Sequence, residues 1–372
     1  MVEWKKLGEI STVQRGKRLT KNLLSDNEVY PVYHGGIEPL GYFKDFNRLE
    51  NTVMVINVGA SAGSVGFSNQ KFWSSDGCFC ISHNIFINNK YLYFFLLGKE
   101  HYLRSQVRYA GIPTLDSTAI GKIPIPIPPL SEQNRIVGIL DTFTESIENL
   151  KKQITERKKQ YEHYRDQLLD LEGKPGVEMK ILGDIGDVTK LAGFEFTEHV
   201  VYKEKGEIIA LRGLNVRDGH LDLNQVKFID DSNFAKLNRS KLIINDMLFT
   251  YVGTIGNVAL IDKNDKYYLA PNVSRIRFKT DIIIPKYALY VFLSYDFYRT
   301  QIEKYLNASS MRNLSMENIR KFRIPIPSID EQKRIVSILD TFEASIANLE
   351  AQLSLRQKQY EYYRNMLLTF DE

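Results

Sequence analysis

The sequence states one long segment twice. Ile125-Pro-Ile-Pro-Pro-Leu-Ser-Glu-Gln-Asn-Arg-Ile-Val-Gly-Ile-Leu-Asp-Thr-Phe143 returns as Ile324-Pro-Ile-Pro-Ser-Ile-Asp-Glu-Gln-Lys-Arg-Ile-Val-Ser-Ile-Leu-Asp-Thr-Phe342. The match runs without a gap to Leu169 and Leu368, with roughly 60% of paired positions identical, far beyond shared propensity. A repeat of this length builds two similar half-molecules, which suggests a chain that meets its partner at two related places. Weaker echoes sit upstream: Glu3-Trp-Lys-Lys-Leu-Gly-Glu-Ile10 against Glu178-Met-Lys-Ile-Leu-Gly-Asp-Ile185, and Ser61-Ala-Gly-Ser-Val-Gly66 against Thr254-Ile-Gly-Asn-Val-Ala259. The offset grows from 175 to 193 to 199 residues along the chain, so the second half carries net insertions. Each half therefore reads as a divergent globular part followed by a near-constant helix.

The repeated segments carry a heptad seam. Apolar residues fall at Ile136, Leu140, Phe143, Ile147 and Leu150 in the first copy, and at Ile335, Leu339, Phe342, Ile346 and Leu349 in the second. The steps alternate four and three, the spacing of a coiled-coil interface. Both copies interrupt the seam with arginine, at Arg157 and Arg356. Two readings stand: a polar group that fixes register at some cost in stability, or an arginine that snorkels out and specifies nothing. Ser131 and Asp330 are good N-caps, Glu132 and Glu331 suit the positive end of a helix dipole, and the Pro runs before them must be extended. Gly173-Lys-Pro-Gly176 stops the first helix. About 40 residues at 1.5 Å each make a rod of about 60 Å. One such helix is polar around most of its surface, so the two copies are expected to pack together, antiparallel if a pseudo-twofold relates the halves. Pairing with another chain is the alternative.

At 372 residues there is room for two domains with connectors. The expected organisation is a globular part over 1–129, a helix over 130–172, a linker over 173–177, a second globular part over 178–328 and a second helix over 329–370. Strand candidates are Thr52–Val58 and Lys241–Val252, each followed by a glycine-rich turn, Gly59–Gly66 and Gly253–Gly256. Neither turn has the Gly-x-Gly-x-x-Gly pattern or the phosphate-loop lysine, so a tight turn between strands is favoured over a nucleotide loop. Tyr91–Leu97 and Tyr287–Leu293 read as the start of a core helix in each half. The fold class is mixed α/β (α+β).

Chemistry-bearing motifs are scarce. The sequence shows no Asn/Asp-Pro-Pro-Tyr/Phe, His-Glu-x-x-His, Gly-x-Ser-x-Gly or phosphate-binding loop, and its six histidines do not pair at ligand spacing. We expect no catalytic residues and no metal site. Cys78 and Cys80, one residue apart, share a strand face and suit core thiols in a reducing cytoplasm. No apolar run spans a bilayer, so no membrane is expected. The net charge of +4 permits nucleic-acid binding without demanding it.

What remains is a pattern for binding. Basic residues mix with aromatics and small turns at corresponding places in both halves: Arg15, Lys17 and Lys21 with Lys190; Tyr33 and His34, in an aromatic-and-glycine loop over Pro31–Tyr42, with Arg212 and Arg217; and Arg108 with Arg312 and Asn313. Arginine and lysine meet phosphates, while arginine, asparagine and histidine read base edges. Each segment alone also reads as solvated surface; recurrence is what favours binding.

The Pro-Ile-Pro-x-x-x-Glu-Gln-x-x-Ile-Val-x-Ile-Leu-Asp signature, with the Leu7-Gly-Glu-Ile and Leu182-Gly-Asp-Ile openings, resembles the DNA specificity subunit of type I restriction–modification systems over nearly the whole chain. The resemblance implies two target recognition domains separated by a long antiparallel two-helix coiled coil, as a pseudo-twofold internal repeat. Each domain would read, through the major groove, one half of a bipartite asymmetric site in double-stranded DNA. The helices would set the spacer and dock two modification (methyltransferase) subunits, and restriction (translocase/nuclease) subunits would add cleavage. S-adenosylmethionine, ATP and Mg would sit on those partners, with no cofactor on this non-catalytic, cytoplasmic chain. The competing readings are a two-domain protein–protein scaffold without sequence-specific DNA binding, and an unrecognised nuclease or methyltransferase.

Overall fold

The Pro runs are strands, and their partners are the chain segments that open each half. In the computed structural model, which describes residues 2–82, 84–191, 198–306 and 313–370, Glu3–Lys6 pairs antiparallel with Pro124–Ile127. Glu178–Ile181 pairs in the same way with Arg323–Ile326. Proline donates nothing to a ladder, so a two-stranded ribbon suits it. One helical turn follows each opening strand, Leu7–Ile10 and Leu182–Ile185. Leu7 N donates to Ile123 O at 2.9 Å and Leu182 N to Phe322 O at 2.8 Å. The two sequence echoes thus form one closure, made once in each half.

The chain forms two compact units, Met1–Lys152 with Glu350–Glu372, and Gln153–Leu349. Each takes in one globular part and portions of both long helices. The first unit has a four-stranded antiparallel sheet in the order Val13–Arg15, Cys78–Ile81, Thr52–Ile56, Val65–Ser68. The second has the same order in Gly186–Lys190, Val273–Phe278, Met247–Thr250, Val258–Leu260. Each unit adds a three-stranded sheet whose middle strand, Tyr30–Tyr33 or Ile209–Leu211, has one antiparallel and one parallel neighbour. Globular parts that echo only faintly in sequence therefore share a topology. The glycine-rich segments are turns between antiparallel strands, as expected. Cys78 and Cys80 are free, buried core thiols.

Three expectations change. Lys241–Asp246 is not strand; Asn245 has φ of 70° and the strand begins at Met247. Pro31–Tyr42 is not an exposed loop, because Tyr30–Tyr33 and Gly41–Phe43 pair as strands and bury Val32 and Tyr33. The long helices, Leu130–Leu169 and Ile329–Leu367, start earlier than the caps proposed for them. Ser131 and Asp330 lie inside the first turn, and Ser328 Oγ instead accepts from Glu331 N at 3.3 Å. A helix can begin as soon as the last proline allows, because proline is tolerated in a first turn.

A buried glutamine locks each helix to its domain. Gln133 is 0% exposed; its Nε2 donates to Pro128 O at 2.9 Å and Phe86 O at 3.0 Å, and its Oε1 accepts from Asn88 N at 2.8 Å. Gln332, also 0% exposed, repeats the pattern with Pro327 O at 3.0 Å, Ile282 O at 3.1 Å and Ile284 N at 2.8 Å. The loops so held lead into the aromatic helices, Asn89–Leu97 and Pro285–Leu293. From these, Tyr91 and Tyr287 donate their hydroxyls to the Pro-run carbonyls of Pro126 and Pro325, at 3.0 and 2.8 Å. Burial holds both phenols neutral, with pKa values well above the ordinary range.

The two long helices run antiparallel within each unit. In the first, Phe143 stacks on Tyr363 at 5.2 Å; in the second, Tyr164 stacks on Phe342 at 5.4 Å. The seam is shared rather than purely interhelical. Ile136 and Leu140 bury against Tyr91 and Phe94 as well as Leu367 and Leu368. Ile335 and Leu339 join the second domain's core with Tyr287 and Leu168. Ile147 is buried, while Phe143, Leu150, Phe342, Ile346 and Leu349 are half-buried. The seam arginines face aromatic rings: Arg157 lies over Phe342 at 5.9 Å and Arg356 over Phe143 at 5.6 Å. Both are half-buried, and such contacts contribute about 0.5–1 kcal/mol each.

Truncating Gln332→Ala orphans one buried N–H and two carbonyls. A loss on the order of 2–4 kcal/mol is expected, read as a lower urea midpoint; an unshifted midpoint would remove the lock from the account. A double-mutant cycle on Arg157 and Phe342 is expected to return a coupling of about 0.5–1 kcal/mol, and zero coupling would leave the arginine a bystander.

Candidate nucleic-acid interface

Strand register relates the candidate residues of the two halves. In the first unit Arg15 lies opposite Phe79, and Phe79 opposite Val55. In the second Lys190 lies opposite Ser274, and Ser274 opposite Phe249. Arg15 and Lys190 therefore hold one ladder position. His34 follows Tyr33, which pairs with Ser74; Arg212 follows Leu211, which pairs with Leu269. Ser74 and Leu269 each lie four residues before the matching ladder residues, Cys78 and Val273. A bridge from Val58 to Thr114 matches one from Val252 to Asn313. Cation, strand-end residue and bridging residue thus meet at one end of the sheet in each unit.

In the first unit this end is organised around Asp76 and Gly77. Arg15 Nε donates to Asp76 O at 3.4 Å, and Asn57 Nδ2 donates to the same carbonyl at 3.3 Å. His34 Nδ1 accepts from Gly77 N at 3.2 Å and lies 3.3 Å from an Asp76 carboxylate oxygen. The chain then passes through Gly16, where a Cβ would lie 2.0 Å from Ser75 O, so only glycine fits. Lys17 N donates to Ser74 O at 2.9 Å, which leaves the Lys17 side chain exposed, as is that of Lys21 on the following helical turn. Arg108 pairs through its backbone with Thr114, and with Arg15, Asn57 and Asp116 it lines a cleft of about 350 Å³. The backbone N–H of Thr118 holds the Asp116 carboxyl below its usual range, so the carboxylate stays charged.

In the second unit Lys190 extends over the Tyr251 ring at 5.9 Å, and Asn313, exposed, bridges the next residue, Val252. Arg212 Nη2 donates to Gln225 O at 2.9 Å, so part of its fork is committed to the fold. Arg217, exposed, lies 3.4 Å from the Asp222 carboxylate. Tyr33 differs from the other candidates. It is 8% exposed, edge-on against Phe72 at 5.4 Å, and packs in the core. Arg312 lies outside the described residues.

Three residues at this end were not singled out in the sequence. Tyr109 and Ile112 are exposed at 73% and 70% on the loop bracketed by Arg108 and Thr114. Asn57 is 6% exposed, and its Oδ1 has no hydrogen-bond partner. Arg108, a candidate in the sequence, is the one local signal beside Tyr109; nothing local marks Asn57. Among the described residues no group of three or more His, Cys, Asp or Glu side chains is placed to hold a metal ion, and no helix is long and apolar enough to cross a membrane.

Known proteins resemble this chain in architecture and, more distantly, in sequence. The chain matches the family described as Type I restriction modification DNA specificity domain over residues 1–157 and 175–355. A putative type I restriction enzyme specificity subunit of Haemophilus influenzae is 28% identical over 389 residues, covering 99% of this chain and 96% of that protein. The crystal structure of a type I restriction–modification S subunit from M. genitalium superimposes with a TM-score of 0.67 at 16% identity, over 100% of this chain and 97% of that one. A structure reported for complex assembly and conformational transition of the type I system gives 0.59 at 17% identity, over 99% and 96%. These likenesses do not favour a general protein scaffold. With a family match over both repeats, the chain belongs to the type I restriction–modification DNA specificity family and is a DNA-specificity subunit of such a system.

Proposed function

We propose that each globular domain reads one half of a split, asymmetric site in double-stranded DNA, through the sheet end that presents Arg15, His34 and Arg108 in one domain and Lys190, Arg212 and Asn313 in the other. The observation that carries this reading is the shared ladder position of Arg15 and Lys190, and of His34 and Arg212, in domains whose sequences otherwise differ. A common scaffold with different side chains at common positions is what two different half-sites require. Arginine at one position and lysine at the other position the duplex through phosphates; the divergent side chains around them contact base edges.

The chain acts without catalysis of its own, in the cytoplasm. Its long helices set the unread spacer and dock two modification subunits, with restriction subunits added where the complex cleaves. S-adenosylmethionine, ATP and Mg belong to those partners. An exposed stripe on the second helix, Leu355, Tyr362 and Met366, supports docking, since residues seven and four apart share one helix face.

Mapping methylated bases in cells that express this chain with its modification partner tests the reading directly. A bipartite motif is expected, and exchange of residues 178–328 for another member's second domain should change one half-site only; changes in both halves would count against independent readers. Deleting one heptad from each long helix is expected to shorten the spacer or abolish assembly. An unaltered motif and gap with full activity would sink the idea that the helices measure distance.

A further inference from the structure

The first unit carries an apolar finger whose role the family reading leaves open. Arg108 N donates to Thr114 O at 2.8 Å and Thr114 N to Arg108 O at 3.0 Å, closing a short loop. Gly59 N donates to Pro113 O at 2.9 Å and anchors the loop to the glycine turn. Gly111, at φ of 88°, turns the tip. The loop's two large apolar side chains, Tyr109 and Ile112, point away from every core cluster and are among the most exposed of their kind among the described residues. Two such side chains on one short loop, tied at its base and to the glycine turn, expose apolar surface that the fold does not use. At the finger's base Arg15 and Arg108 flank a cleft that also holds the Asp116 carboxylate and the unpartnered buried Oδ1 of Asn57. Apolar tip and cationic base form a set that fits a duplex, whose groove offers methyl groups between two rows of phosphate.

We propose that Tyr109 and Ile112 enter the major groove of the half-site read by the first domain and pack against thymine methyl groups, with Arg108 and Arg15 on the flanking phosphates. The major groove displays the thymine C5 methyl, and apolar side chains discriminate by covering it. The finger is therefore a specificity element and its base a positioning element. This rests on the DNA-reading role proposed above. In the second domain the corresponding segment, 307–312, lies outside the described residues.

The test uses the full chain assembled with its modification subunits, and DNA carrying the mapped motif. Each half-site thymine is replaced in turn by uracil, which lacks only the methyl group. For the native complex, at least one replacement in the first half-site is expected to weaken binding about fourfold, the worth of burying one methyl. The Tyr109→Ala, Ile112→Ala double variant should bind native and uracil DNA equally, with an unchanged salt dependence and thermal midpoint. Arg108→Ala should weaken binding to all sequences and lower the salt slope by about one. A double variant that keeps the native response to uracil overturns the finger's role while leaving DNA reading intact. Loss of assembly with the modification subunits, at an unchanged thermal midpoint, also overturns it and makes the finger a protein contact. A native complex with no sequence preference would instead overturn the underlying reading.

Discussion

The fold depends on a glutamine that water never reaches. A primary amide is costly to bury, and Gln133 and Gln332 are buried because each joins three backbone groups from two segments that meet nowhere else in sequence. One donor satisfies a carbonyl of the Pro run, whose strand is held on the other edge by the opening strand. The other donor and the acceptor satisfy the loop before the aromatic helix. Helix start, Pro strand and domain core are thereby held in one geometry. This gives the Glu-Gln pair in the repeated signature a physical meaning. The glutamate is half-buried and pairs with an arginine one turn on, Glu132 with Arg135 and Glu331 with Arg334, while the glutamine next to it faces inward. Surface pairs of that kind contribute little; the buried amide is the connection that cannot be lost.

The same logic separates what repeats from what diverges. Closure by opening strand, Pro strand, buried glutamine and tyrosine hydroxyl is geometric, so it tolerates little change and survives as sequence identity. The sheets behind it need only alternating burial and the right turns, which many sequences supply. Val53 and Val55 fill one core where Met247 and Phe249 fill the other. Two shared sheets built on different residues suit a pair of readers, because side chains at the sheet end can then vary without moving the frame that holds them.

The helices show a further division of labour. Their first seam residues are claimed by the domain as much as by the partner helix, so the seam is a three-way junction near each domain and an aromatic interface beyond it. Lys90 with Asp141 at 2.7 Å, and Lys286 with Glu343 at 2.9 Å, tie each aromatic helix to the long helix of its own half. Arg157 and Arg356 lie over phenylalanines instead of escaping to solvent, which turns a break in the apolar pattern into a matched pair of contacts.

Much of this was legible in the chain. Duplication, the two long helices, the extended Pro runs, the glycine turns, the aromatic core helices and the buried thiols follow from periodicity, from proline's missing N–H and from local identity, all of which act over a few residues. The family follows from the same signature. Tertiary structure decided what local rules cannot reach. It made Tyr33 a core residue, because pairing across Tyr30–Tyr33 buries that face. It removed Lys241–Asp246 from a strand despite its apolar run, since Asp246 is buried against Arg277 and the chain turns there. It brought Arg15, His34, Asn57 and Arg108 to one sheet end from four separate segments. Period and propensity are properties of neighbours in sequence; which side chains share a surface depends on strand register, and register is set only when the whole sheet has paired.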